Sequence, residues 1–241
     1  MTFYRVVVTC LAVGVLSAGI AAQAQKAPPQ QPKVPRPAAV KIREGVFRVG
    51  NIEVDTAKKE LRVAGILNEN VTTLEWVANT RGGPKAYESA FSLDSDAATF
   101  NAALLLMGAD PARSRVPTKH FDPVPPKGDP MEIFVEWTMG SNVRRVRIEE
   151  FLLDQRTKTT LPVGPWVYTG SSFINGRYMA ELDGVLIGFV HSPAPIIENP
   201  RAGAVEAFGS VVLNNKGLGL PSGMRITMII QAGSASPKGR P

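Results

Sequence analysis

Along most of its length this chain repeats its apolar residues at every second position, and that period commits the folded part largely to strands. The clearest case joins Met131 to Thr138 with Val143 to Ile148 through Met139-Gly140-Ser141-Asn142, a sequence suited to a tight turn. Folded there, the two runs form a hairpin with Trp137 opposite Arg144, Val135 opposite Val146 and Ile133 opposite Ile148 on a mostly apolar face. The other face sets Glu136 across from Arg145, a cross-strand ion pair worth about 0.2–1 kcal/mol. Part of the cluster Arg144, Arg145 and Arg147 is thereby read as sheet surface.

Gly45 to Leu67 alternates in the same way around the polar stretch Asp55 to Lys59, with Ile52, Val54, Leu61 and Val63 turned inward, and reads as another hairpin. Val71 to Ala78 and Ala86 to Phe91 read as strands joined through Arg81-Gly82-Gly83-Pro84. Val167 to Ile174, Val185 to Val190 and Arg225 to Gln231 complete the set. One helix stands out over about 96–107. Asp94-Ser95-Asp96 offers capping oxygens, Phe100, Ala103, Leu104 and Met107 recur at helical spacing, and Gly108 with Pro111 ends it. Ala102 to Met107 is apolar nearly all round, so the helix is expected to be buried against a sheet. Ala109 to Pro130 is rich in proline and lacks a period, which makes it a long loop. The expected fold is α+β: an antiparallel or mixed β-sheet with that one buried helix and few others.

The N-terminus has the layout of a secretory signal: Arg5, an uncharged run from Val6 to Ala22, and the small residues Ala22 and Ala24 before Gln25. Cleavage there removes residues 1–24; the alternative is an uncleaved helical anchor, the one route to membrane contact. Val7-Val8-Thr9 before Cys10 is a poor lipoprotein signal. The segment carries the only cysteine and one of the 27 basic residues, so the mature chain has no disulfide and an excess of five positive charges over its 21 acidic residues. That excess is spread thinly, and no nucleic-acid partner is expected. Residues 25–40, with Lys26-Ala27-Pro28-Pro29 at their head, form a proline-rich linker. Residues 41–231 form one globular domain, and 232–241 a frayed tail.

Several segments carry a resemblance. Lys85-Ala86-Tyr87-Glu88-Ser89, Asp94, the helix end Ala102-Ala103-Leu104-Leu105-Leu106-Met107-Gly108, Gly128-Asp129-Pro130, Trp166-Val167-Tyr168-Thr169-Gly170-Ser171 and Glu198-Asn199-Pro200 follow one another in collinear order. Together they resemble the YdjY-type domain of exported bacterial proteins, over about residues 50–230. The resemblance implies an exported or envelope-associated protein and transfers no activity. A ferredoxin-like label attached to such proteins can describe shape alone here, because iron–sulfur clusters are held by cysteine thiolates and the mature chain has none. Where the family pattern often has histidine, this chain has Tyr87, which weakens the idea of an imidazole ligand on that segment.

Chemical signatures are sparse. His120 and His191 lie far apart, each expected to be an exposed loop or strand-end residue, and no zinc spacing is present. No nucleophile-elbow motif surrounds a serine. Glu149-Glu150 reads as solvated and Asp94 with Asp96 as helix capping. No catalytic residue, metal ligand or cofactor is therefore assigned. Two groups are candidate ligand-binding residues. Strand alternation would put Lys85, Tyr87 and Ser89 on one face and Glu88 on the other, and Trp166, Tyr168 and Thr169 would make an aromatic surface for sugar or peptide. For both groups ordinary packing is the competing explanation. The function expected is a non-catalytic binding or scaffolding module for an envelope protein or cell-wall component. The alternative is a small-molecule or hydrolytic enzyme with its site between the Lys85 strand and the 109–130 loop.

Overall fold

The computed structural model describes residues 37–71 and 73–233. The signal segment, the linker up to residue 36 and the tail beyond residue 233 lie outside the described residues. The chain begins with a meander of β1 (Ala39–Arg43), β2 (Val46–Val49), β3 (Ile52–Asp55) and β4 (Glu60–Leu67), each antiparallel to the last. Then come β5 (Trp76–Thr80), β6 (Ser89–Leu93) and helix α1 (Ala97–Met107). After the long loop follow β7 (Asp129–Met139), β8 (Asn142–Arg147), β9 (Leu152–Asp154), β10 (Thr159–Thr160) and β11 (Trp166–Tyr168). The last part holds β12 (Phe173–Ile174), β13 (Arg177–Tyr178), α2 (Met179–Asp183), β14 (Val185–Gly188), β15 (Ile197–Glu198), β16 (Val211–Leu213) and β17 (Arg225–Ala232).

Hydrogen bonding runs in a ring, β4–β17–β7–β11–β15–β14–β5–β6, and β6 returns to β4. This closed barrel of eight strands corrects the α+β expectation: strands take up 40% of the described residues and helical segments 13%. The α1 helix does lie where its caps predict. Asp96 accepts from the Thr99 N–H at 2.7 Å, and Gly108 ends it in the left-handed region at φ 112°. Helix α1 packs against β2, β3, β4 and β14, with Leu105 left exposed. Closure is what alternation along a single strand does not reveal. The ring is completed by β11 and β15, three and two residues long, too short to show a period.

In the antiparallel half of the barrel, Met228 of β17 lies between Val63 of β4 and Val135 of β7, and Ile230 between Leu61 and Ile133. All six are buried, a continuous apolar layer formed by every second residue. The β7–β8 hairpin has the expected register at Trp137–Arg144, Val135–Val146 and Glu136–Arg145, but β8 ends at Arg147, and Ile148 begins a short 3-10 turn. The predicted Glu136–Arg145 ion pair does not form. Glu136 pairs with Arg62, reaching from β4 across β17, while the Arg145 guanidinium lies 4.4 Å from the centre of the Phe134 ring.

Candidate functional site

The parallel pairing of β5 and β6 builds the site. It sets Trp76 beside Ser89 and Thr80 beside Leu93, so the chain leaving β5 must return to the same end before β6 begins. The return ends in a 3-10 turn over Ala86–Glu88, where the sequence predicts a strand. In that turn side chains three apart lie on one side. Lys85 and Glu88 therefore share a face, correcting the alternation that separated them: the Lys85 Nζ is 2.7 Å from Glu88 Oε1.

The same register places Glu75, just before β5, next to Glu88, just before β6, and the Glu75 N–H donates to the Glu88 carbonyl at 3.0 Å. Two carboxyls are thus set near enough for each to act on the other. Burial and the neighbouring Glu88 carboxyl push Glu75 up to about 7. Burial also acts to raise Glu88, but hydrogen bonds from Lys85, Glu75 and the Trp76 Nε1–H hold it below its ordinary value. The bond to Glu88 raises Lys85 in turn. A fourth group arrives from the 109–130 loop: His120 pairs through Nε2 with Glu75 Oε1, its basicity lowered by burial and by Lys85. Its ring centre lies 5.6 Å from that of Trp76 and 4.1 Å from that of Phe121, which itself meets Phe208 at 4.9 Å. Tyr87, between Lys85 and Glu88 in the chain, is 60% exposed. Asp122 anchors the loop beside it. Its carboxylate accepts from the N–H groups of Thr118 and Val124, and its carbonyl accepts from His191 Nδ1 at 2.8 Å.

Sequence reasoning singled out Lys85, Tyr87, Glu88 and Ser89 and missed Glu75. The available signal was a carboxylate inside the apolar run Val71 to Ala78. Ser89 is fully buried and spends its hydroxyl on the Lys85 carbonyl at 2.7 Å, so it supports the turn and does not reach the surface. Trp166, Tyr168 and Thr169 are interior as well, at 0%, 1% and 2% exposure. The Trp166 Nε1–H donates to Glu149, the Tyr168 hydroxyl to Asn101 Oδ1 at 2.8 Å, and the Thr169 hydroxyl to backbone carbonyls. No aromatic surface exists at these three positions.

Two further expectations are corrected. Glu149 is not solvated. It is 1% exposed and gathers Arg147, Arg201 and Trp166, because the 3-10 turn after β8 rotates it inward. His191 is also buried rather than exposed at a strand end. Near it, Glu198 on β15 is wholly enclosed, accepts from the Ser192 N–H at 3.2 Å, and is driven well above the carboxylate range by burial.

Open hollows of about 480 Å³, between Arg81, Asp94 and Glu181, and about 150 Å³, beside Arg113 and Asp129, lie apart from the Glu75–Glu88 pair. Among the described residues, no group of three His, Cys, Asp or Glu side chains has metal-binding geometry.

Compared with known proteins, the chain matches no curated protein and no solved structure. The family model of the YdjY domain matches residues 52–231, from the first residue of β3 to the penultimate residue of β17, and so takes in the barrel. With about three quarters of its length inside that match, the chain belongs to the YdjY domain family.

Proposed function

We propose that the protein is an exported envelope component acting as a non-catalytic binding module, with its ligand site at the Glu75–Glu88 pair and the exposed Tyr87 beside Glu88 in the chain. The observation that carries this reading is the convergence of Glu75, Lys85, Glu88 and His120 from three separate segments at one end of the β5–β6 pair. Keeping two carboxyls adjacent, one of them poised near neutrality, costs stability that a purely structural surface would avoid. Export is supported by the signal layout of residues 1–24.

The placement of Glu75 against Glu88 favours the enzyme alternative: burial and that neighbour push it up to about 7, so it keeps part of its proton near neutral pH, as a general acid must. A thermal-shift screen of the purified protein against cell-wall fragments, glycans and small metabolites decides between the two. Binding at the folded site raises the melting temperature. The module reading expects a ligand whose shift is lost in Glu88→Gln and which is recovered unchanged after prolonged incubation. Conversion of that ligand, abolished by Glu75→Gln, would replace the module with the enzyme.

A further inference from the structure

Among the described residues, β1 and β8 each leave one edge of the barrel sheet without a partner strand. β8 is hydrogen-bonded to β7 alone, and no further backbone bond reaches the stretch from Asn142 to Val146. Two observations fix which of its backbone groups are free. Gly140, at φ 62°, opens the two-residue turn between Met139 and Asn142, as in a type II′ hairpin, whose closing pair is hydrogen-bonded. On the other side of β7, the Gly233 N–H donates to the Pro130 carbonyl at 2.8 Å, so the even-numbered residues of β7 bond to β17 and the odd-numbered ones to β8. Within β8, Asn142, Arg144 and Val146 therefore bond to β7, while Val143 and Arg145 turn their N–H and C=O groups away from the sheet.

The side chains along this edge carry positive charge that their surroundings answer poorly. Arg144 lies with its guanidinium 5.2 Å from the centre of the Trp137 ring and donates to the Leu218 carbonyl at 3.3 Å, with no carboxylate in ion-pair range among the described residues. Arg145 reaches Glu60 only at 4.0 Å, and that carboxylate already accepts from Gln231 Nε2 at 2.6 Å and lies 3.5 Å from Arg62. The other free edge differs: on β1, Lys41 pairs with Glu44 at 2.7 Å and Arg43 with Glu53 at 3.6 Å. Beside the two arginines, Val143 is 64% exposed and offers an apolar contact.

Charge decides what can pair with such an edge. A second copy's β8, aligned so that the free groups meet, would set Arg144 opposite Arg144 or Arg145 opposite Arg145, and its β1 would bring Lys41 and Arg43; like charges directly opposite destabilise a strand pair. Residues 1–36 and 234–241 of the chain contain no Asp or Glu and include Lys26, Lys33, Arg36, Lys238 and Arg240, so they do not supply the missing charge either. An acidic strand of another protein does. We propose that β8 is a docking edge for an extended acidic segment of a partner protein, added as an antiparallel strand with one carboxylate opposite Arg145, the next opposite Arg144 and an apolar residue opposite Val143. Main-chain bonds to Val143 and Arg145 hold the segment, and the side chains select it. The edge lies on the β7 side of the ring, apart from β5 and β6, and does not depend on a ligand at the Glu75–Glu88 pair.

The test is fluorescence anisotropy of the dye-labelled peptide Thr-Val-Glu-Glu-Val-Thr titrated with the purified full chain. Two peptides serve as comparisons: Thr-Val-Lys-Lys-Val-Thr, and the acidic peptide N-methylated at its first glutamate. The expected result is binding of the acidic peptide but not of the lysine peptide, weakening several-fold as salt is raised. N-methylation removes the N–H that would donate to the Arg145 carbonyl and weakens binding at least tenfold with the charge unchanged. Arg145→Glu weakens the acidic peptide at least tenfold and admits the lysine peptide. Val143→Pro removes an N–H that β7 does not use, so it weakens binding at least tenfold with the melting temperature unchanged. Should that variant melt lower, the N-methylated peptide on the unaltered protein decides. Equal binding of the N-methylated peptide shows contact by charge alone and overturns strand addition. Binding indifferent to Arg145→Glu places the peptide elsewhere and overturns the proposal. No binding of the acidic peptide also overturns it, and leaves Arg144 and Arg145 as charges that keep other strands off the edge.

Discussion

Gly65 of β4 lies so close to the Ser92 carbonyl of β6 that a Cβ on residue 65 would stand 2.7 Å from that oxygen and 2.8 Å from Leu93 Cδ2. Here β6 closes the ring onto β4, with Gly65 paired to Leu93 and Ile66 to Ser92. The neighbour that would have to move is backbone in a closed barrel. Gly65→Ala is therefore expected to destabilise the fold by about 1–3 kcal/mol, the usual cost of forcing an extra methyl into a packed interior. Urea denaturation followed by circular dichroism measures it. A midpoint equal to that of the wild type would mean that the ring closes less tightly than these contacts state.

The Glu75–Glu88 pair makes stability depend on pH in a definite direction. Glu75 rises from an ordinary 4.5 to about 7 on folding, so between those values the folded protein holds a proton that the unfolded chain has lost. Its contribution is complete below about 4.5 and fades as the pH climbs through 7. His120 has the opposite sign: its folded value is depressed, so its contribution is present above 6.5 and is lost on acidification. Comparison with Glu75→Gln isolates the first effect, since glutamine imitates the protonated acid at every pH. Melting temperatures from pH 4.5 to 8 are expected to fall with rising pH more steeply in the wild type than in the variant. Parallel curves would mean that Glu75 titrates normally.

The strands that read well from sequence were those whose burial is decided by one sheet face. The β7–β8 hairpin is legible in its register from Val135–Val146 to Trp137–Arg144, though not at its Ile148 end, because Val135, Trp137 and Val146 alternate with polar neighbours around an obvious turn. The same rule misled at Lys85 to Ser89, where a 3-10 turn replaces alternation by a spacing of three. The cue for that turn is tertiary: β5 and β6 run parallel, and eight residues must carry the chain back to its starting end. Glu75 stayed hidden for the same reason, since only the register of two strands brings it to Glu88. Trp166 and Tyr168 were ambiguous because a three-residue strand has no period to tell an interior aromatic from an exposed one.

Glu149 holds together the side of the barrel where β7 meets β11. Its carboxylate accepts from Arg201 at 2.9 Å, from Arg147 at 3.2 Å and from Trp166 Nε1 at 3.2 Å, with 1% of its side chain exposed. Removing one member of a buried charged group leaves the others without a partner, which typically costs about 3–5 kcal/mol. Glu149→Ala is expected to fall in that range by urea denaturation, with the near-ultraviolet signal of the tryptophans altered. A loss below about 1 kcal/mol would show that solvent reaches the two arginines and satisfies them.

Asp122 ties the 109–130 loop to the site. Its carboxylate accepts from the Thr118 N–H at 2.8 Å, the Thr118 hydroxyl at 2.9 Å and the Val124 N–H at 2.9 Å, and those bonds draw it down to about 2. The turn they close carries His120 and Phe121, so the orientation of His120 toward Glu75 depends on it. Its stabilising contribution is complete above about 3.8 and disappears as the pH falls through 2. Asp122→Ala removes all three bonds but leaves the contact of the residue 122 carbonyl with His191, so the loop is expected to loosen from residue 118 to 124 without detaching. Amide hydrogen exchange is expected to accelerate at least tenfold at Thr118 and Val124 while remaining unchanged in β7 and β17. Acceleration spread through the barrel strands would instead make Asp122 a determinant of the whole fold.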